Sequence, residues 1–211
     1  MSNAEILQEA TKLIANDNLQ AASILVKTEY PFEKYVKPVS SDRKSSTRIK
    51  IVSEAEQRKY TQKQALELFI VDSFIDRYSG EKLVLPSALY ALSTIIPDAF
   101  PCGNKRSSTH QAFWDLFPSL DHIEPVSGGG KDVDSNWITT SMAMNIRKSN
   151  IPLSELGWQI YQRDTSCEWD GLVSWYLEWA GENENAQNIR LNKGWHAAIT
   201  SLFPGPYPFA A

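Results

Sequence analysis

The chain has 211 residues, 42% of them hydrophobic and 22% charged, which suits one generous globular domain or a small core with attachments. No apolar run approaches the ~18 residues of a membrane span, and a formal net charge of -4 argues mildly against non-specific coating of nucleic acid. Two distant cysteines, Cys102 and Cys167, supply neither a disulfide framework nor a four-cysteine zinc site.

The opening stretch, "MSNAEILQEATKLIANDNL", is polar and helix-like and lacks the basic and apolar blocks of a signal peptide, so a cytoplasmic setting with no membrane partner is expected. Residues 3–27 are predicted as one or two helices with Ile6, Ala10, Leu13 and Ile14 on one face. Two prolines in "EYPFEKYVKP" end that pattern. From Glu33 to Lys63, nine Lys/Arg stand against four acids, a local reversal of the overall charge. The middle of that span, "KPVSSDRKSSTRIKIVS", mixes cations with serines. A phosphate-contacting loop has this composition, with Arg43, Lys44, Arg48 and Lys50 as its contacts; so does a solvated linker.

Helical spacing returns over residues 54–75, with Leu66, Phe69, Ile70 and Phe74. "RYSGEKLVLP" reads as a tight turn and a short strand ended by Pro86, and "SALYALSTIIPDAF" as a helix. "THQAFWDLFPSLDHIEPV" ends in a short strand. After three glycines at 128–130 come a turn or extended piece and a helix from about 136 to 148, with Asp134 or Ser135 available as its cap. "PLSELGW" starts a further helix or turn, and the tail, with Trp169, Trp175, Trp179 and Trp195, is expected to pack over the core. His110 and His196 read as core or surface histidines. The organisation is then 1–60, helical with a basic Ser-rich stretch; 61–165, carrying the motif; and 166–211, an aromatic-rich extension.

Chemistry concentrates in "LDHIEPVSGGGKDVDSNWITTSMAMNIRKSN", residues 120–150. In a strand, Asp121 and His122 point to opposite faces, so one can hold a metal while the other addresses water. Asn145, inside the following helix, can complete the metal shell with its carboxamide oxygen. Oxygen ligands suit a hard ion, Mg2+ or Mn2+, which keeps waters for a phosphate to displace. His122 is then the general base, and Lys131, Arg147 or Lys148 can neutralise the phosphate.

This stretch resembles the ββα-metal (His-Me finger) motif of the HNH nuclease superfamily. The matching elements are "DHIEP" at 121–125, "GGG" at 128–130, Asn136, Asn145 nine residues further on, and "NIRK" at 145–148. Five elements in order make a specific signal. The resemblance implies that Asp121 and Asn145 are metal ligands and His122 the base. It also implies that Asn136 braces the loop and orients the histidine, and that Lys148 matches the family's trailing basic residue. One departure stands out: two Cys-x-x-Cys pairs that bind a structural zinc in many members are replaced here by Asp76-x-x-Ser79 and Ser141-x-x-Met144. No structural zinc is expected, and packing of extra helices would support the site instead. A longer pattern over roughly residues 70–175 is similar to a group of bacterial HNH proteins.

The expected fold is α+β, a ββα-metal core embedded in a mainly helical domain. The expected activity is metal-dependent hydrolysis of phosphodiester bonds in DNA, double-stranded by preference, with restriction or defence against foreign DNA as the family's habit. One such site cuts one strand, so a double-strand cut needs a homodimer or two binding events. A DNA-binding or interaction protein with an inactive core is the alternative.

Overall fold

A computed structural model of the chain describes residues 1–33, 60–164 and 166–204. The basic residues Arg43, Lys44, Arg48 and Lys50, and the first part of the helix expected from residue 54, lie outside the described residues.

The amino-terminal pattern resolves into two helices, α1 (Asn3–Ala15) and α2 (Leu19–Glu29), packed on each other. Ser2 and Glu5 form a reciprocal capping box at the start of α1. The break falls at Asp17, which adopts φ 57°, and Asn18 then caps α2 through the Ala21 N–H. Helix α3 (Gln62–Val71) opens on another capping box, Thr61 with Gln64, and buries Leu66 and Phe69 as their spacing predicts.

"EKLVLP" is not a strand. An isolated bridge joins Ile75 to Lys82, and the N–H groups of Leu83, Val84 and Leu85 then go to Phe74, Leu116 and Gly171, three different segments. A run buried on all sides finds no single partner for a ladder, so it stays extended but unpaired. Pro86, expected to end a strand, begins α4 (Pro86–Ile95) instead, at the one helical position that needs no N–H.

A short α5 (Ala112–Asp115) leads into β1 (Pro118–His122), which pairs antiparallel with β2 (Trp137–Ser141). Helix α6 (Met142–Lys148) follows at once, capped by Ser141 through the Met144 N–H. The sequence spacing placed the start of this helix near residue 136. The β-branched run Ile138-Thr139-Thr140 pairs in the sheet instead, and the helix starts at 142.

A one-turn α7 (Leu153–Leu156), then α8 (Val173–Glu182) and α9 (Lys193–Leu202), complete the described chain. The aromatic tail is core rather than cover: α8 packs on α4, α9 on α3, and Tyr176, Leu177 and Ile199 are buried with Leu89 and Leu92. Helix α3 in turn lies against both strands, so the hairpin is seated on this core. The molecule is therefore a mainly helical α+β protein with one two-stranded sheet among its described residues. Among those residues, no helix is long and apolar enough to cross a membrane. Cys102 and Cys167 are free thiols.

His110 shows how the core treats a titratable group. It is fully buried, stacks on Phe100 at 4.4 Å between ring centroids, and accepts from the Ala112 N–H at Nδ1. Nε2 is then the protonated nitrogen and donates to the Tyr30 carbonyl at 2.9 Å. Burial pushes its pKa down to about 4, against the hydrogen bond to Tyr30. A depressed histidine is neutral in the folded state while the unfolded chain still takes up a proton, so the unfolded state binds more protons below the ordinary value near 6.5. Stability should therefore fall as pH drops from about 6.5 through about 4, by roughly 3 kcal/mol from this residue. Urea melts of wild type and His110→Gln at pH 7 and pH 4.5 check this: the variant's pH dependence should be the shallower.

Candidate active site

In the hairpin, Leu120 pairs with Thr139, Asp121 with Ile138 and His122 with Trp137. One neighbour braces β2 from its other side and is itself held by a second. The Arg77 N–H donates to the Thr139 carbonyl at 2.9 Å, and the Tyr161 N–H to the Arg77 carbonyl at 2.8 Å. Helix α6 packs back over both strands. This order gives Asp121 and His122 the opposite directions that strand alternation requires, and their surroundings differ accordingly.

Asp121 lies under α6. Its Oδ2 accepts from the Tyr78 hydroxyl at 2.9 Å and forms an ion pair with Lys148 Nζ, also at 2.9 Å. Burial first, and the Asp121 charge second, push the Tyr78 hydroxyl well above its ordinary range, so it remains a donor. Asn145 stands over the same face: its Nδ2 donates to Ser119 Oγ at 2.8 Å and to the Leu120 carbonyl at 3.2 Å. Those two bonds fix the carboxamide so that its Oδ1 accepts nothing among the described residues. Asp121 Oδ1 is likewise uncommitted to any described donor. Two oxygens, one anionic and one neutral, are thus left uncommitted on this side of the strand.

Lys148 departs from the expectation of a cation facing phosphate. It is fully buried and donates to the His122 carbonyl at 2.7 Å besides pairing with Asp121. Successive helix residues point about 100° apart, so one of the Arg147-Lys148 pair turns inward. Arg147 is the exposed one, its guanidinium 5.8 Å from the Trp158 ring centroid. Lys131 is also exposed, and its carbonyl accepts from Asn136.

On the other side of the strand, His122 Nε2 lies 2.7 Å from Asp132 Oδ1, and the same oxygen accepts from Trp137 Nε1 at 2.8 Å. The loop between His122 and β2 is tied by Asn136. Its Oδ1 accepts from the Glu124 N–H at 2.8 Å, while Nδ2 donates to the Glu124 and Lys131 carbonyls at 2.9 and 2.8 Å. One side chain thereby closes the loop two residues after His122. Gly130 makes that closure possible, since a Cβ there would sit 2.0 Å from the Glu124 carbonyl oxygen and 3.0 Å from Asn136 Nδ2. Gly129 supplies the left-handed turn at φ +99°.

The segments Asp76–Ser79 and Ser141–Met144 are joined directly. Asp76 is 1% exposed and accepts four hydrogen bonds. Oδ1 takes the Tyr78 N–H at 2.9 Å, the Ser79 N–H at 3.2 Å and the Thr140 hydroxyl at 3.0 Å; Oδ2 takes the Ser141 N–H at 2.8 Å. A carboxylate thus ties the 76–79 turn to the end of β2, where packing alone was expected. Asp72, equally buried, performs a second tie, with Arg77 and Arg163 each 2.6 Å from Oδ1 and the Thr139 N–H 3.2 Å from Oδ2.

Sequence spacing did not single out Asp72, Tyr78, Ser119 or Asp132 as partners of the motif. Asp76 carried one legible signal: an Asp four residues before a glycine, in "DRYSG", is an Asx-turn pattern. Among the described residues no three His, Cys, Asp or Glu side chains gather as a metal cluster. No protein-family model, curated protein or solved structure matches this chain.

Proposed function

We propose that this protein is a metal-dependent endonuclease of HNH type, hydrolysing phosphodiester bonds in DNA. The observation that carries the reading is the division of labour across one strand. Asp121 and Asn145 offer oxygens on one face, and His122 sits on the other, at the strand end that leads into the loop Asn136 holds by three hydrogen bonds.

The donor set suits a hard divalent ion. Carboxylate and carboxamide oxygens are its preferred ligands, and an ion such as Mg2+ keeps the rest of its shell for water and phosphate. Zinc, which is held most often by nitrogen or sulfur, finds neither in this pair. When bound, such an ion would supply charge stabilisation for phosphate and leaving oxygen. Lys148 already compensates the Asp121 charge through Oδ2, so the ion would share the carboxylate by its other oxygen.

The chain's own residues supply the remaining steps. Asn145 is held by Ser119 and Leu120 so that its oxygen is presented without a search over rotamers. His122 takes a proton from water as the water oxygen bonds to phosphorus and the P–O3′ bond breaks. The 3′-oxygen then takes a proton from solvent. Arg147, exposed at the end of α6, is the cation placed to meet a phosphate. A role in restriction or defence, DNA as the duplex substrate and a homodimer for double-strand cutting belong to the same proposal.

Supercoiled plasmid incubated with the purified protein tests this. Mg2+ or Mn2+ should convert it to the nicked form, and EDTA should stop conversion entirely. Equal products with and without EDTA, or none with either metal, would remove the nuclease reading in favour of a DNA-binding protein with an inactive core.

A further inference from the structure

We infer that Asp132 is the positioning residue of the proposed base, and that it makes Nδ1 of His122 the nitrogen that receives the proton. The inference rests on the nuclease reading for its consequence, but the hydrogen-bond arrangement it asserts can be tested without it.

The geometry carries three steps. First, Asp132 reaches back ten residues along the chain to place Oδ1 2.7 Å from His122 Nε2. A carboxylate can only accept, so Nε2 carries the hydrogen. Second, Asp132 does not depend on His122 for its place. Trp137 Nε1 donates to the same oxygen at 2.8 Å, and Trp137 is the cross-strand partner of His122 in the register. Histidine and carboxylate are thus referred to one rigid pair of strands. Third, the contact is shielded, with side chains only 5% and 9% exposed, where a charge-assisted hydrogen bond competes little with water.

With Nε2 committed, Nδ1 is the only ring nitrogen left with a lone pair, and it has no partner among the described residues. Asp132 thereby fixes both the tautomer and the orientation of the ring, and leaves Nδ1 as the nitrogen able to accept. The sequence offered no sign of it, since Asp132 is one of two acids within "GGGKDVDSN".

The decisive variants are Asp132→Ala and Asp132→Asn, each compared with wild type. Proton NMR of 15N-histidine-labelled protein should show a downfield, slowly exchanging Nε2–H of His122 in wild type, absent in Asp132→Ala. Asp132→Asn, whose carboxamide oxygen can still accept from both donors, should retain it at a less extreme shift. Under single turnover with Mg2+, Asp132→Ala should cleave plasmid about 10²–10⁴-fold more slowly. DNA affinity, measured in Ca2+, should be unchanged, and Asp132→Asn should recover part of the rate. A wild-type spectrum without that proton, or protonated at Nδ1, overturns the proposal whether or not the protein cuts DNA. So does a full cleavage rate in Asp132→Ala, or a loss that appears only as weaker DNA binding. If wild type shows the proton but cuts nothing, Asp132 positions His122 in the folded state while the nuclease reading and the base role fall together.

Discussion

His122→Ala is expected to reduce metal-dependent plasmid cleavage by about 10²–10⁴-fold, the usual contribution of a positioned general base. The ring lies almost closed between Asp132 and the hairpin, so its removal also opens a small gap beside a carboxylate that keeps its bond from Trp137. Activity and folding must therefore be separated. His122→Gln does so: its Nε2 can still donate toward Asp132, but a carboxamide takes up no proton from water. Both variants should be equally slow, and the Gln variant should melt closer to wild type. Cleavage by His122→Gln within a few-fold of wild type would show that the histidine is a structural partner of Asp132 and no base. Metal removal provides the companion control, because EDTA and His122→Gln should each abolish the same nicked product.

The motif's order along the chain was legible because each element obeys a local rule. Alternation in a strand separates Asp121 from His122, a left-handed turn wants a glycine at 129, and a helix after β2 brings Asn145 back over β1. Asn136 shows the same legibility, since its three bonds are short-range, to Glu124 and Lys131. What spacing did not reveal was partnership at a distance. Tyr78 reaches Asp121 across 43 residues, and Asp76 reaches Ser141 across 65. Such pairs depend on how α3 and the 72–85 segment dock on the hairpin, which no local pattern encodes. Lys148 illustrates the converse failure: a lysine at a helix end is ordinarily solvated, and the buried Asp121 carboxylate and the His122 carbonyl turn it inward. The strand expected before Pro86 was lost for a related reason, its three N–H groups being drawn to three different segments.

Asp76→Ala should be among the most destabilising single changes in the described chain. Removing the carboxylate strands the buried backbone N–H groups of Tyr78 and Ser141 and the half-buried one of Ser79, together with the buried Thr140 hydroxyl. Each buried donor left without a partner costs about 1–3 kcal/mol. Water entering the vacated space recovers some of that, so a net loss on the order of 4 kcal/mol is expected, a large share of the ~5–15 kcal/mol that holds a domain folded. Asp76→Asn discriminates between mere space-filling and the proposed tie. Its single oxygen can still serve the 78–79 turn, but the amide NH2 then opposes the Ser141 N–H, donor against donor. The Asn variant should therefore keep the turn yet loosen the β2–α6 junction, where Ser141 both receives the tie and caps the helix that carries Asn145 and Lys148. Denaturant melts should rank wild type above Asn and Asn above Ala. Hydrogen exchange in the Asn variant should quicken at Ser141 and Met142 before it does at Ser79. Equal melts for all three proteins would mean that Asp76 ties nothing, and that the hairpin is held by its packing on α3 alone.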